Sequence, residues 1–137
     1  MITRLSHACV FVLDQDEAKD FYVNKLGFEV RIDAPMGEGG RWLGVGPKGQ
    51  PDCQITLILP ELTNGGDNEV SRQIRELVAK GALANGVLES SDIHKDYEEL
   101  LAKGVTFKGP PKEEFYGTEA IMVDPSGNWY SLTERKM

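Results

Sequence analysis

The sequence predicts an α+β chain built from two tandem βαβββ modules. Helical and strand-like periods follow one another in the order β-α-β-β-β, twice. A shift of 78 residues also lays the turns and helix ends of one half on those of the other, and one further helix stands between the halves.

The first module opens on a strand-like stretch, Leu5–Val12. A helix over Asp16–Leu26 then sets Ala18, Phe21, Tyr22 and Leu26 on one face, with Asp14 or Asp16 placed to accept from its exposed N–H groups. Gly27 follows as a C-terminal cap. Strands over Phe28–Ile32, Arg41–Val45 and Gln54–Leu59 complete the module, interrupted by the turn Gly46-Pro47-Lys48-Gly49. The connecting helix spans Asp67 to Lys80, with Val70, Ile74, Leu77 and Val78 along one stripe. The second module repeats the plan. Its strand Leu83–Glu89 leads to a helix over Asp92–Lys103, which carries Ile93, Tyr97, Leu100 and Leu101 on one face. Ser91 or Asp92 can cap that helix and Gly104 ends it. Strands Val105–Phe107, Glu119–Val123 and Trp129–Thr133 follow, the last two joined by Asp124-Pro125-Ser126-Gly127-Asn128. The chain therefore reads as one domain over 1–137, with modules at 1–60 and 83–137 and a connector at 61–82.

The shift of 78 sets Asp14 on Asp92, Lys25 on Lys103, Gly39 on Gly117, Val45 on Val123, Pro47 on Pro125 and Gly49 on Gly127. Gly27 and Gly104 match at 77, so a one-residue gap falls between these glycines and the Lys25–Lys103 match.

Composition excludes several classes. At 137 residues, 40% hydrophobic and 27% charged, the chain can bury a core without a disulfide or structural metal. The net charge of −7 comes with no basic cluster, which disfavours nucleic acid, because its phosphates would be repelled. No apolar run approaches the roughly 20 residues that span a bilayer, and the N-terminus opens directly into a strand. A cytoplasmic protein without membrane contact is expected. Cys9 and Cys53 lack metal-type spacing and read as reduced, partly buried thiols. No nucleophile elbow, Walker or dinucleotide fingerprint occurs.

His7-Ala8-Cys9-Val10-Phe11-Val12, Asp14, Ala18-Lys19-Asp20-Phe21-Tyr22 and Leu26-Gly27-Phe28 resemble the opening of the vicinal oxygen chelate superfamily, which includes glyoxalase I, bleomycin-resistance proteins and extradiol dioxygenases. Tyr116-Gly117, Asp124 to Asn128 and Trp129-Tyr130-Ser131-Leu132 resemble its closing signature. The connector helix and the stretch Met36-Gly37-Glu38 to Arg41-Trp42-Leu43 are similar to a poorly characterised bacterial branch. The resemblance implies a cupped, mixed eight-stranded sheet with helices outside, a pocket in the cup, and a homodimer. The fold hosts several chemistries, so function has to be argued from the site.

Members of the group commonly chelate a divalent ion through His and Glu at four strand positions, and the ion polarises substrate oxygens as a Lewis acid. The resemblance puts His7, Asn85, Thr56 and Ser131 at those positions. One imidazole with neutral amide and hydroxyl oxygens is a weak cage for such an ion. A metal-free cup is therefore expected, the alternative being a divalent metal held by His7, Glu89 and Glu119. His94 lies on a helix face with Lys95 and Glu98 and offers no substitute.

Ligand contacts are expected from His7, Thr56, Asn85, Glu89, Tyr116, Trp129 and Ser131. His7 and Glu119 are the catalytic candidates, since a neutral imidazole or a carboxylate can accept a proton near pH 7. Each also has a plainer reading: His7 as a hydrogen-bonded strand residue, Trp42 and Trp129 as core or interface aromatics, Tyr116 as a packed turn, Glu119 as a solvated strand end, Cys9 as packing. Two functions compete. One is a small-molecule binding protein of the bleomycin-resistance type, suited to a cationic or neutral guest. The other is a glyoxalase-like lyase, isomerase or dioxygenase with an altered metal set. A metal-free acid–base enzyme using His7 with Glu119 or Glu89 is a third reading.

Overall fold

Asp14 and Asp92 start the two module helices in the same way. Each carboxylate accepts from the backbone N–H three residues on, Glu17 at 2.9 Å and Lys95 at 3.2 Å. The computed structural model describes residues 1–37 and 39–136, so Glu38 of the branch-specific stretch lies outside it. In chain order the elements are β1 (His7–Phe11), α1 (Gln15–Lys19) with a π-helical continuation (Asp20–Lys25), β2 (Glu29–Pro35), β3 (Arg41–Gly46) and β4 (Gln54–Ile58). A short α2 (Pro60–Thr63) and α3 (Glu69–Ala79) form the connector. The second module contains β5 (Ala84–Glu89), α4 (Ile93–Ala102), β6 (Thr106–Phe107), β7 (Lys112–Glu114), β8 (Gly117–Val123) and β9 (Trp129–Arg135).

The modules share one topology. Strand order is β1-β4-β3-β2 in the first sheet and β5-β9-β8-β6 in the second, and in each the first strand pairs parallel with the last. The strands thus form two sheets, and β1 and β5 are edge strands of them. β7 is an addition to the eight strands expected; its three residues pair with the start of β8.

The π-helical turn explains the shift from 78 to 77. The N–H of Leu26 reaches back five residues to the Phe21 carbonyl at 3.0 Å, so the first helix holds one residue more than α4. The connector begins with a reciprocal cap: Asn68 accepts from the Ser71 N–H, and the Ser71 hydroxyl oxygen accepts from the Asn68 N–H.

Val10, Leu43, Val45 and Leu57 of the first sheet meet Met122 and Tyr130 of the second in one core, with Phe21, Tyr22 and Val105 between. A polar knot crosses this core. One Asp124 oxygen accepts from the N–H groups of Ser126, Gly127 and Asn128, and the other from the Tyr22 hydroxyl and the Asn128 amide. Asn128 donates onward to the Phe11 carbonyl at 2.7 Å, and Ser126 accepts from the Leu13 N–H at 2.9 Å. The turn after β8 is thereby tied to the end of β1. Burial pushes the Tyr22 and Tyr130 phenols well above their ordinary pKa.

Candidate functional site

Strand alternation decides what the outer face of the second sheet presents. On β9, Tyr130 and Leu132 are buried in the core, so Trp129, Ser131, Thr133 and Arg135 point the other way. Val87 and Glu89 of β5 pair with Ser131 and Thr133, and Glu119 of β8 lies opposite Thr133. With Tyr116 at the rim, these residues line a cavity of about 450 Å³.

Its hydrogen bonds run in one direction. Tyr116 donates to one oxygen of Glu119 at 2.6 Å, and Ser131 donates to the other. Since the one proton of Ser131 is used there, Thr133 is the donor in its 2.6 Å contact with Ser131. Three hydroxyls are thus ordered around one carboxylate. Two accepted bonds leave Glu119 with free lone pairs for a donor or cation. The bond to Glu119 pushes the Tyr116 pKa up to about 12, so this phenol keeps its proton and is no base near neutrality. Glu89 forms an exposed ion pair with Arg135 at 3.0 Å across the rim.

The expected site residues divide between places. Glu89, Tyr116, Glu119 and Ser131 come together in this cavity. Trp129 shares the face but carries the Lys108 ammonium 5.3 Å above its ring. His7 and Thr56 lie on the first sheet. His7 is exposed, with Nδ1 2.8 Å from the Ser6 hydroxyl, and Thr56 is buried opposite Cys9. The Cys9–Thr56 and Val87–Ser131 pairs put Thr56 and Ser131 at equivalent positions, three residues off the shift of 78. Within one chain, however, no residue of the first sheet lines the cavity around Ser131.

Asn85, expected on the same wall as Ser131, is carried off it by a bulge. Ala84 faces Trp129 and Gly86 faces Tyr130, so Asn85 is the extra residue. Its amide nitrogen is buried and has no hydrogen-bond partner among the described residues. Cys9 is exposed, because β1 is an edge strand and its outer face is uncovered. His94 is an exposed residue of the first turn of α4, away from both sheets' outer faces. Thr133 and Arg135 were not expected at the site. Period-two continuation of Trp129 and Ser131 reaches both, but Arg135 lies beyond the expected strand end.

Within one chain the expected donors do not assemble around a divalent ion. The four positions of the resemblance supply one imidazole, and the bulge removes Asn85 from the set. Within one chain the alternative set is also split, since His7 lies on a different sheet from Glu89 and Glu119. Among the described residues, no three His, Cys, Asp or Glu side chains cluster as metal ligands. None of the described helices is long and apolar enough to cross a membrane.

Comparison with known proteins gives the same family by sequence and by fold. YetH of Bacillus subtilis (strain 168) is 33% identical over 134 residues, covering 98% of this chain and all of that one. The crystal structure of UcmS2 superposes with a TM-score of 0.90 at 46% identity, covering 98% of this chain and 99% of that one. TnmS3, described as an antibiotic binding protein from Streptomyces sp. CB03234, is 32% identical with a TM-score of 0.76 over 98% of both chains. Residues 4–132 match the sequence profile of one family, and the chain belongs to it: the Glyoxalase/Bleomycin resistance protein/Dioxygenase superfamily.

Proposed function

We propose that this protein binds a small organic molecule on the outer face of its second sheet, without the metal common in its family. The observation that carries this reading is the directed set of hydroxyls around Glu119 in a cavity of about 450 Å³. A carboxylate held by its neighbours and still able to accept suits a guest with an N–H, an O–H or a positive charge. Val87 and Tyr116 supply apolar and aromatic contact beside it. The antibiotic-binding description of a relative with 32% identity supports a binding role of the same kind.

The active form in this reading is a homodimer. The outer faces expose Ile32 and Trp42 on the first sheet, and Val87, Phe115 and Tyr116 on or beside the second. A second copy laid over them would cover this apolar surface and bring a His7 and a Thr56 toward the cavity. The test has two arms. Metal analysis of protein purified without chelator should find no stoichiometric Ni, Zn, Fe or Mn. A thermal-shift panel of protonated and neutral aromatic amines should stabilise the wild type, and Glu119→Gln should lose its preference for the cations. Stoichiometric metal that His7→Ala removes would overturn the reading in favour of a metal-dependent lyase, isomerase or dioxygenase.

A further inference from the structure

The seam between the modules has two halves related by the repeat, and they are filled differently. In one half Tyr22 and Tyr130 stand under the Asp124–Asn128 turn, their hydroxyls 2.8 Å apart. Each of these groups has a counterpart. The N–H of Phe28 donates to the Tyr22 carbonyl and that of Val105 to the Leu100 carbonyl, so Leu100 answers Tyr22. The parallel pairs Ala8–Ile55 and Gly86–Tyr130 make Ile55 the answer to Tyr130. The shift of 78 puts Asp124 and Asn128 on Gly46 and Gln50. Two phenols are therefore replaced by two aliphatic side chains, and a buried carboxylate by glycine.

Beside Leu100 the seam is open. A crevice of about 200 Å³ runs between the first helix, α4 and β5, walled by Leu26, Phe28, Leu88, Leu100 and Met122. It adjoins a space of about 540 Å³ under the turn that holds Pro47 and Gln50, and Phe28, Leu88 and Glu89 line both.

We propose that this crevice is a second ligand site, which shares only Glu89 with the cavity around Glu119, and that it takes an uncharged aromatic molecule of one or two rings. Ring size follows from what fills the other half of the seam. Lack of charge follows from the rim: Lys25 and Lys103 stand with Asp96 and Glu99, while Glu89 is paired with Arg135. The two ammonium groups and two carboxylates cancel in sum, so the rim favours neither sign of ion. The walls suit an aromatic body, with Phe28 for ring contact and the Met122 side chain for sulfur–aromatic contact. Gln50 offers an amide near the place where Asn128 serves the other half, which can answer a hydroxyl on the ring.

The probe is 2-naphthol, followed by its fluorescence and by methyl NMR of methionine-labelled protein. Saturable one-to-one binding should shift the Met122 methyl and leave those of Met1 and Met36 in place. Leu100→Phe, which partly restores the ring present at Tyr22, should weaken binding by about tenfold or more. Leu88→Phe fills the same space from β5 and serves if Leu100→Phe melts early. Ser131→Trp, which blocks the Glu119 cavity, should leave 2-naphthol binding unchanged while abolishing the amine shifts of the first site. No saturable binding, binding that Ser131→Trp abolishes, or a Met122 methyl that does not move would each overturn the proposal.

Discussion

Asp124 is the residue on which the junction of the modules depends. Its two oxygens accept from three backbone N–H groups, a tyrosine and an asparagine, all at 2.8 to 3.0 Å. Alanine there leaves buried donors unpaired, so Asp124→Ala should cost about 3 kcal/mol or more of stability, read as a lowered urea midpoint. Asn128→Ala removes fewer bonds and should cost less, about 1–3 kcal/mol on the same measurement. Glu119 differs, since Tyr116 and Ser131 order a carboxylate that keeps free lone pairs, which the proposed function assigns to a guest. Glu119→Gln should leave stability within about 1 kcal/mol, because the group lies on an open face and its loss falls mainly on ligand binding. A large drop in melting temperature for Glu119→Gln would make its hydrogen bonds structural.

At the scale of elements, the turn between β8 and β9 is seated against the end of α3. A Cβ on Gly127 would stand 2.2 Å from the Val78 carbonyl oxygen, and its φ of +115° is one that side chains rarely adopt. Gly127→Ala should therefore destabilise by about 1–3 kcal/mol, measured by thermal or urea unfolding. How much of this was legible in the sequence follows element by element. Helix faces, caps and both turns were readable, because apolar spacing and Asp, Gly and Pro act locally. The Thr56–Ser131 equivalence followed from the family resemblance and not from the shift of 78, which sets Ser131 on Cys53. β7 was not, since Lys112-Glu113-Glu114 has no apolar alternation and its pairing is decided by β8. Nor was the place of Asn85: counting by twos from Glu89 puts it on the outer face, and one bulged residue defeats the count. The division into two sheets depends on which strand edges meet, and no single strand encodes that.

At the scale of the whole molecule, the buried phenols set a limit at high pH. The folded chain holds the Tyr22 and Tyr130 protons above pH 10, where the unfolded chain releases them. The unfolded state then binds fewer protons, so stability is fully present below about pH 10 and falls as pH rises, by up to about 1.4 kcal/mol per pH unit for each tyrosine. Urea unfolding at pH 9 and pH 11 should show the loss, and Tyr22→Phe should lessen it. Assembly is the other property of this scale. Sedimentation at micromolar concentration should give a species of twice the 15.2 kDa chain mass, and Trp42→Glu with Val87→Glu should return it to the monomer. A wild type that sediments as a single chain would remove the dimer from the proposed function.

The extra residue in the first helix bears on the history of the chain. Two identical modules joined in tandem would have matching seams, either both sealed by tyrosines or both open. The present halves match neither pattern, and the π turn shows that their helices also ceased to have the same length. A chain assembled from two copies of the first module would carry Tyr22 twice and its turn carboxylate nowhere, whereas two copies of the second would carry that carboxylate twice and no Tyr22. Neither duplicate could build the Tyr22–Asp124 contact that now joins the modules. Each half therefore depends on the other for the contact that joins them, and the repeat is a complement rather than a copy.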